Sequence, residues 1–316
     1  MYYLGIDLGG MSIKEGICDE NGAILYKDTC PTVRTEDGDR ILNDMASLSL
    51  RVIAEAGLCV SDIEYAGIAS PGSADQENGT IIYASTLPFL NYPIVEKFTA
   101  KTGIKKVYIE NDANAAAKGE ATFGAAKGCK NSLFITLGTG VGGGIIIDGK
   151  VYSGFNYSGA ELGHIVIVKD GKECSCGRRG CFEAYASATA LVELTKEKML
   201  ENKNSLMWDF CENNIDNANG KTAFDAMRKG DETAKAVVDE YIQYLASGVV
   251  SLINIFQPEV LSIGGGISKE GDTLILPIRA IAEREQYSRH CDKKTIIKTA
   301  ALSNDAGIIG AASLGK

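Results

Sequence analysis

The chain is short of histidine, carries no excess of positive charge and contains no long apolar run, and each shortage narrows what it can do. Its 316 residues hold 32 Lys and Arg against 41 Asp and Glu, a net charge of −9. Such a surface does not gather a phosphate backbone, so no nucleic-acid partner is expected. No run of eighteen apolar residues occurs, and Met1-Tyr2-Tyr3-Leu4-Gly5-Ile6-Asp7 lacks the basic-then-apolar order of a secretory leader. The expectation is a cytoplasmic protein with no membrane partner. Nine cysteines, an odd number in no regular framework, suit a reducing compartment where clustered thiols bind metal rather than each other. No glycine-rich stretch is followed by Gly-Lys-Ser/Thr, so a P-loop is missing as well.

What is present suffices for a folded enzyme. Hydrophobic residues make up 45% of the chain and charged ones 23%, and the length exceeds what one core usually serves, so two domains are expected. One of the two histidines falls in a dense stretch: Glu161-Leu162-Gly163-His164, then Cys174-Ser175-Cys176-Gly177-Arg178-Arg179-Gly180-Cys181-Phe182-Glu183. Three thiols and an imidazole are the ligand set of a structural zinc; ordinary reduced thiols beside a core histidine are the alternative.

Hydrophobic patterning marks the elements. Tyr3 to Asp7 and Ser12 to Cys18 read as strands around Gly9-Gly10, and Asn21-Gly22 reads as a hairpin turn into a strand over Ala23 to Lys27. A helix is expected from about Asp39 to Ala56, then strands at Tyr65 to Ala69 and Val107 to Glu110. Asn131 to Leu137 is a strand, Gly138 to Gly144 a turn, Ile145 to Ile147 a strand and Asp148-Gly149 a hairpin turn. The repeat of strand, glycine turn and strand suggests two related halves facing each other across a cleft. Asp231 caps a long core helix that runs to Pro258. Val260 to Ile263 is a strand leading to Gly264-Gly265-Gly266, residues 201 to 222 form a polar excursion, and Asn304 to Ala312 forms a closing helix.

Glycine turns at strand ends expose backbone amides that suit phosphate, although a tight hairpin needs the same residues. Asp7, beside Gly9-Gly10, either caps its turn or orients the water shell of Mg²⁺ on nucleotide phosphates. Asp112 ends an apolar strand and opens a run of small residues. It is either an N-cap or a base that takes a proton from a hydroxyl attacking phosphorus.

Taken in order, Asp7-Leu8-Gly9-Gly10, Ser70-Pro71-Gly72, Glu110-Asn111-Asp112, Gly138-Thr139-Gly140-Val141-Gly142-Gly143-Gly144, Glu161-Leu162-Gly163-His164, Cys174-x-Cys176-Gly177-x-x-Gly180-Cys181-x-Glu183 and Gly264-Gly265-Gly266 resemble the ROK sugar kinases over essentially the whole chain. The resemblance implies an α/β, actin-like (ribonuclease H-like) ATPase fold of two α/β domains with a cleft between them. Residues 1–115 plus 301–316 would form the smaller domain and 116–300 the larger, zinc-bearing one. It implies an ATP-dependent hexose kinase of glucokinase type, with Mg²⁺ on the phosphates and a structural zinc. Asp112 becomes the base on the sugar's 6-hydroxyl. Gly72, Asn111, Glu161, His164 and Glu183 join it as sugar ligands, and His164, Cys174, Cys176 and Cys181 hold the zinc. Asp7, Gly9, Gly10, Ser12, Lys14, Gly138, Thr139, Gly140, Gly265 and Gly266 serve ATP and Mg²⁺.

Two positions depart from the pattern. Family members usually have Thr after the first Gly-Gly, where this chain has Met11; loss of one hydroxyl contact predicts roughly tenfold weaker ATP binding rather than none. At Ser85-Thr86-Leu87, glucokinase-like members often place Asn before the Leu, so the hexose could also be N-acetylmannosamine or N-acetylglucosamine. Sugar-sensing repressors of the family carry a helix-turn-helix ahead of the first glycine turn, which here begins at residue 7, so the repressor reading is not the expected one. An actin-like filament or chaperone ATPase has no use for Glu161, His164 and Glu183. A homodimer is the expected assembly.

Overall fold

The computed structural model describes residues 1–33, 37–84 and 86–316. Ser85, the first residue of the departure just noted, lies outside them. β1 (Tyr2–Leu8), β2 (Ser12–Cys18) and β3 (Ile24–Pro31) form an antiparallel meander, with Gly22 in the left-handed conformation that a tight hairpin needs. After α1 (Gly38–Glu55), β4 (Ile63–Ser70) pairs parallel to β1. Three short strands, β5 (Ser73–Asp75), β6 (Thr80–Tyr83) and β7 (Leu90–Tyr92), make a separate antiparallel sheet ahead of α2 (Ile94–Thr102). β8 (Val107–Asn111) then joins β4 in parallel, which gives the order β3-β2-β1-β4-β8.

The inner strands β1 and β4 of that sheet are buried because apolar residues and glycine fill both their faces, whereas the edge strand β3 alternates half-buried and exposed residues. Leu4, Ile6, Leu8, Ile13 and Ile17 pack with Ile41, Leu42, Met45 and Val52 of α1 in one core. β8 leads without a break into α3 (Asp112–Thr122), whose alanines and Gly119 let the chain's last helix come close.

β9 (Ser132–Leu137), β10 (Val141–Ile147) and β11 (Lys150–Val151) open a second sheet of order β11-β10-β9-β12-β13. Next come α4 (Glu183–Ala186), α5 (Ala188–Glu201), α6 (Met207–Phe210), α7 (Thr222–Arg228) and α8 (Glu232–Phe256). β12 (Val260–Gly265), α9 (Asp272–Glu285), β13 (Ile296–Thr299) and α10 (Ala306–Ala311) complete the chain. The side chain of Asp231 accepts from the Ala234 amide at 2.7 Å and so caps α8, while Gln257 in left-handed backbone ends it. α8 is long and apolar enough to cross a membrane by length and composition alone; 61% of that window is buried, against α5, α7 and α9 among others.

The expected turn over Gly138 to Gly144 is corrected: only Gly138 to Gly140 turn, and β10 already begins at Val141. Gly143 behaves as a strand residue without a side chain because Leu162 fills the space its Cβ would need. Two compact units result. One comprises Met1–Phe134, Gly144–Ala160 and Ala301–Lys316, the other Ile135–Gly143 and Glu161–Ala300.

Candidate functional site

In the first unit the expected residues gather at the ends of β1, β4 and β8. Asp7 accepts from Lys14 across the β1–β2 pair at 3.2 Å. The turn between these strands closes through the Gly9 amide on the Ser12 carbonyl at 3.0 Å, and Thr32 braces it by donating to the Gly9 carbonyl at 2.7 Å. Gly10 and Met11 lie in that turn; Met11, at the position where a hydroxyl was expected, is 83% exposed. Gly72 has φ 88, and any Cβ there would run into the Tyr83 carbonyl, so a glycine is required. Its own carbonyl accepts from Asn111 Nδ2 at 3.1 Å.

Asn111, not Asp112, is the N-cap of α3: its Oδ1 accepts from the Ala113 and Asn114 amides at 2.9 and 3.2 Å. Asp112 is therefore not needed to start the helix, although its Oδ1 also accepts from the Ala113 amide. Burial pushes the Asp112 carboxyl above the usual carboxylate range, and the negative charge of Asp7 adds to the effect. Each influence disfavours the charged form and makes the group a better proton acceptor than a free aspartate.

Glu110 was quoted in the sequence only as part of a motif, yet it organises this corner. It is 2% exposed and receives the Asn111 amide at 2.8 Å, Asn114 Nδ2 at 3.2 Å and Ser153 Oγ at 2.9 Å, with Gln76 Nε2 on the same oxygen as Ser153. Burial raises its pKa while these donors oppose the shift. The only sequence signal was an acid inside an otherwise apolar strand end.

In the second unit the turn at Gly138 to Gly140 is held from several sides. Its Gly138 amide reaches the Gly140 carbonyl at 3.0 Å, the Ala188 amide donates to the Gly138 carbonyl at 2.8 Å, and Thr189 Oγ1 donates to the Thr139 carbonyl at 2.9 Å. Glu183 accepts from the Val141 amide through Oε2 at 3.0 Å and from Ser175 through Oε1 at 3.1 Å. A pocket of about 480 Å³ is lined by Thr139 and Gly140, by Cys174, Ser175 and Glu183, and by Thr189 of α5. Gly265 ends β12 and Gly266 follows it, and Ser268 Oγ donates to the Gly265 carbonyl at 2.8 Å.

Glu161 precedes a short 3₁₀ turn, Leu162–His164, which His164 ends and whose Leu162 and Gly163 are buried. His164, Cys174, Cys176 and Cys181 bring one donor atom each within 4.8 Å of one another. Cys174 Sγ lies 3.6 Å from His164 Nδ1 and Cys176 Sγ 3.7 Å from Cys181 Sγ. Two thiolates bound to zinc at ~2.3 Å with tetrahedral angles stand about 3.8 Å apart, so this donor set fits the ion.

The hexose ligands expected from the sequence are thus shared out, with Gly72, Asn111 and Asp112 in the first unit and Glu161, His164 and Glu183 in the second. The phosphate ligands divide the same way: Asp7, Gly9, Gly10, Ser12 and Lys14 against Gly138, Thr139, Gly140, Gly265 and Gly266.

Comparison with known proteins gives full-length matches. The model of the ROK family matches residues 3–316. The glucokinase of Thermotoga maritima is 40% identical over 315 residues, covering 98% of this chain and 96% of that protein. The glucokinase of Halalkalibacterium halodurans is 37% identical over 311 residues, with 98% and 93% covered. Among solved structures, a ROK family glucokinase from Streptomyces griseus in complex with glucose and AMPPNP superposes with a TM-score of 0.83 at 34% identity, covering 99% of both chains.

Proposed function

The chain belongs to the ROK family, and from that premise we propose that it is an ATP-dependent glucokinase, which moves the γ-phosphoryl group of ATP to the 6-hydroxyl of glucose. Its fold is the actin-like, ribonuclease H-like α/β fold of the ROK sugar kinases. The observation that carries the reading is Asp112. It is a carboxylate freed from helix capping by Asn111 and raised in basicity by burial, in a chain that aligns end to end with glucokinases.

In the proposed reaction the 6-oxygen attacks the γ-phosphorus, Asp112 takes the hydroxyl proton, and the bond from phosphorus to the ADP oxygen breaks. The glycine turns at Gly9-Gly10 and Gly138-Thr139-Gly140 face the phosphate charge, with the Thr139 and Gly140 amides as donors because the Gly9 and Gly138 amides close their own turns, and Gly265 and Gly266 lie by the adenosine. Asp7, paired with Lys14 and with Ser12 nearby on β2, would hold the water shell of a Mg²⁺ that offsets the phosphate charge. Gly72, Asn111, Glu161, His164 and Glu183 hold the remaining sugar oxygens. His164, Cys174, Cys176 and Cys181 would hold a structural zinc, which would fix their loop and set the orientation in which His164 meets a sugar oxygen. We place the protein in the cytoplasm as a soluble homodimer.

A coupled assay of ADP release over glucose, mannose, N-acetylglucosamine and N-acetylmannosamine tests the reading. Glucose is expected to give the highest kcat/KM. A higher value for an N-acetylhexosamine moves the assignment to that sugar, and no turnover with any of them removes it.

A further inference from the structure

Glu183 touches the phosphate turn as well as the zinc loop. Its Oε2 accepts from the Val141 amide at 3.0 Å, at the point where the turn becomes β10. A side chain at Gly140 would strike that same carboxylate oxygen first. Its Oε1 accepts from Ser175 Oγ at 3.1 Å and lies 3.5 Å from Cys174 Sγ. Since a carboxylate has about four acceptor positions, these contacts leave room for a sugar hydroxyl.

We infer that Glu183 is a positioning residue that couples the two substrates, holding the Gly140-Val141 peptide of the phosphate turn with the same carboxylate that receives the hexose. This rests on the kinase reading above. A hydroxyl arriving on Glu183 changes the charge available to the Val141 amide, and through it the placement of the turn. By reciprocity, a disturbance of the turn at Gly140 reaches the sugar before any nucleotide binds. The coupling runs through one side chain whose two ends are both fixed, so it requires no movement of the units.

The chosen substitution is Gly140→Ala, because its backbone is outside the left-handed region and the three atoms nearest the new methyl group all belong to Glu183. Gly138→Ala alters the same turn but meets nothing within 4 Å. Glucose binding without nucleotide is measured by calorimetry for both variants and the parent. Gly140→Ala is expected to weaken glucose about tenfold, the scale of a displaced hydrogen bond to a charged group, while Gly138→Ala stays within twofold. In the parent protein labelled with ¹⁵N-valine, glucose alone is expected to shift the Val141 amide resonance.

Equal glucose affinity in Gly140→Ala and the parent overturns the coupling, as does equal weakening by both alanines. A Val141 resonance that ignores glucose overturns it without any variant. If the parent binds and phosphorylates glucose while these results fail, only the coupling falls. If the parent neither binds nor phosphorylates glucose, the kinase reading falls with it.

Discussion

Asp112 answers to two opposed demands. Its enclosure raises the carboxyl pKa, and the Asp7 charge acts in the same direction, while the Ala113 amide pulls the other way. A base works only when deprotonated, so the acid limb of kcat/KM is expected to lie above the pH at which an ordinary aspartate, with pKa about 3.9, would lose activity. Asp112→Asn keeps an oxygen for the Ala113 amide and leaves the Asn111 cap untouched, so the fold should survive. Turnover is expected to fall about 10² to 10⁴-fold with glucose binding retained. Steady-state kinetics with calorimetry checks this, and near-parental turnover would remove Asp112 from the chemistry. Asp112 stood out in the sequence because it ends an apolar strand and opens a run of small residues, whereas Asn111 entered only through the family resemblance and its capping of α3 was not read. Glu110 was not, since its partners Gln76 and Ser153 come from distant segments that no local pattern connects.

At the scale of elements, the loop of Cys174, Cys176 and Cys181 is short-range structure that the sequence reveals as a candidate metal site by composition alone. Its backbone turns, with the Gly177 amide on the Cys174 carbonyl at 2.9 Å and the Cys174 amide on the Arg178 carbonyl at 2.9 Å, bring the thiols together. The proposed reading, which assigns His164 to both the metal set and the sugar, therefore predicts that Cys176→Ser loses bound zinc and weakens glucose binding more than ATP binding. Elemental analysis with titrations of each substrate decides it; one equivalent of zinc retained in the variant would contradict the ligand set. Other elements were read unevenly. β1, β2 and α8 fall where hydrophobic spacing put them, whereas β5, β6 and β7 went unseen because strands of three or four residues carry no period. The start of β10 was hidden for a different reason. Val141-Gly142-Gly143-Gly144 looks like a turn, and only the side chain of Leu162 lying against Gly143 shows why a strand can be made of glycine.

The molecule as a whole carries two cores with separate fastenings, so its unfolding should be resolvable into two components. The donor set of His164, Cys174, Cys176 and Cys181 belongs to the second unit, and the proposed zinc would fasten it. In the first, Glu15 of β2 is fully buried with Ser49 Oγ at 2.5 Å, one carboxyl oxygen has no partner, and burial raises its pKa well above normal. The native state thus binds the proton more tightly than the unfolded chain does. Stability from this group is full below the unfolded pKa of about 4.3 and declines as pH rises from there through the raised native value. Glu15→Gln supplies a neutral group at every pH and should abolish that decline, so its advantage over the parent grows with pH. In scanning calorimetry, Glu15→Gln is expected to raise one component more at pH 8 than at pH 5, and a zinc chelator to lower the other. The parent's unfolding would be a single cooperative event if both treatments moved one common transition, and the separate fastenings would then act on the same barrier.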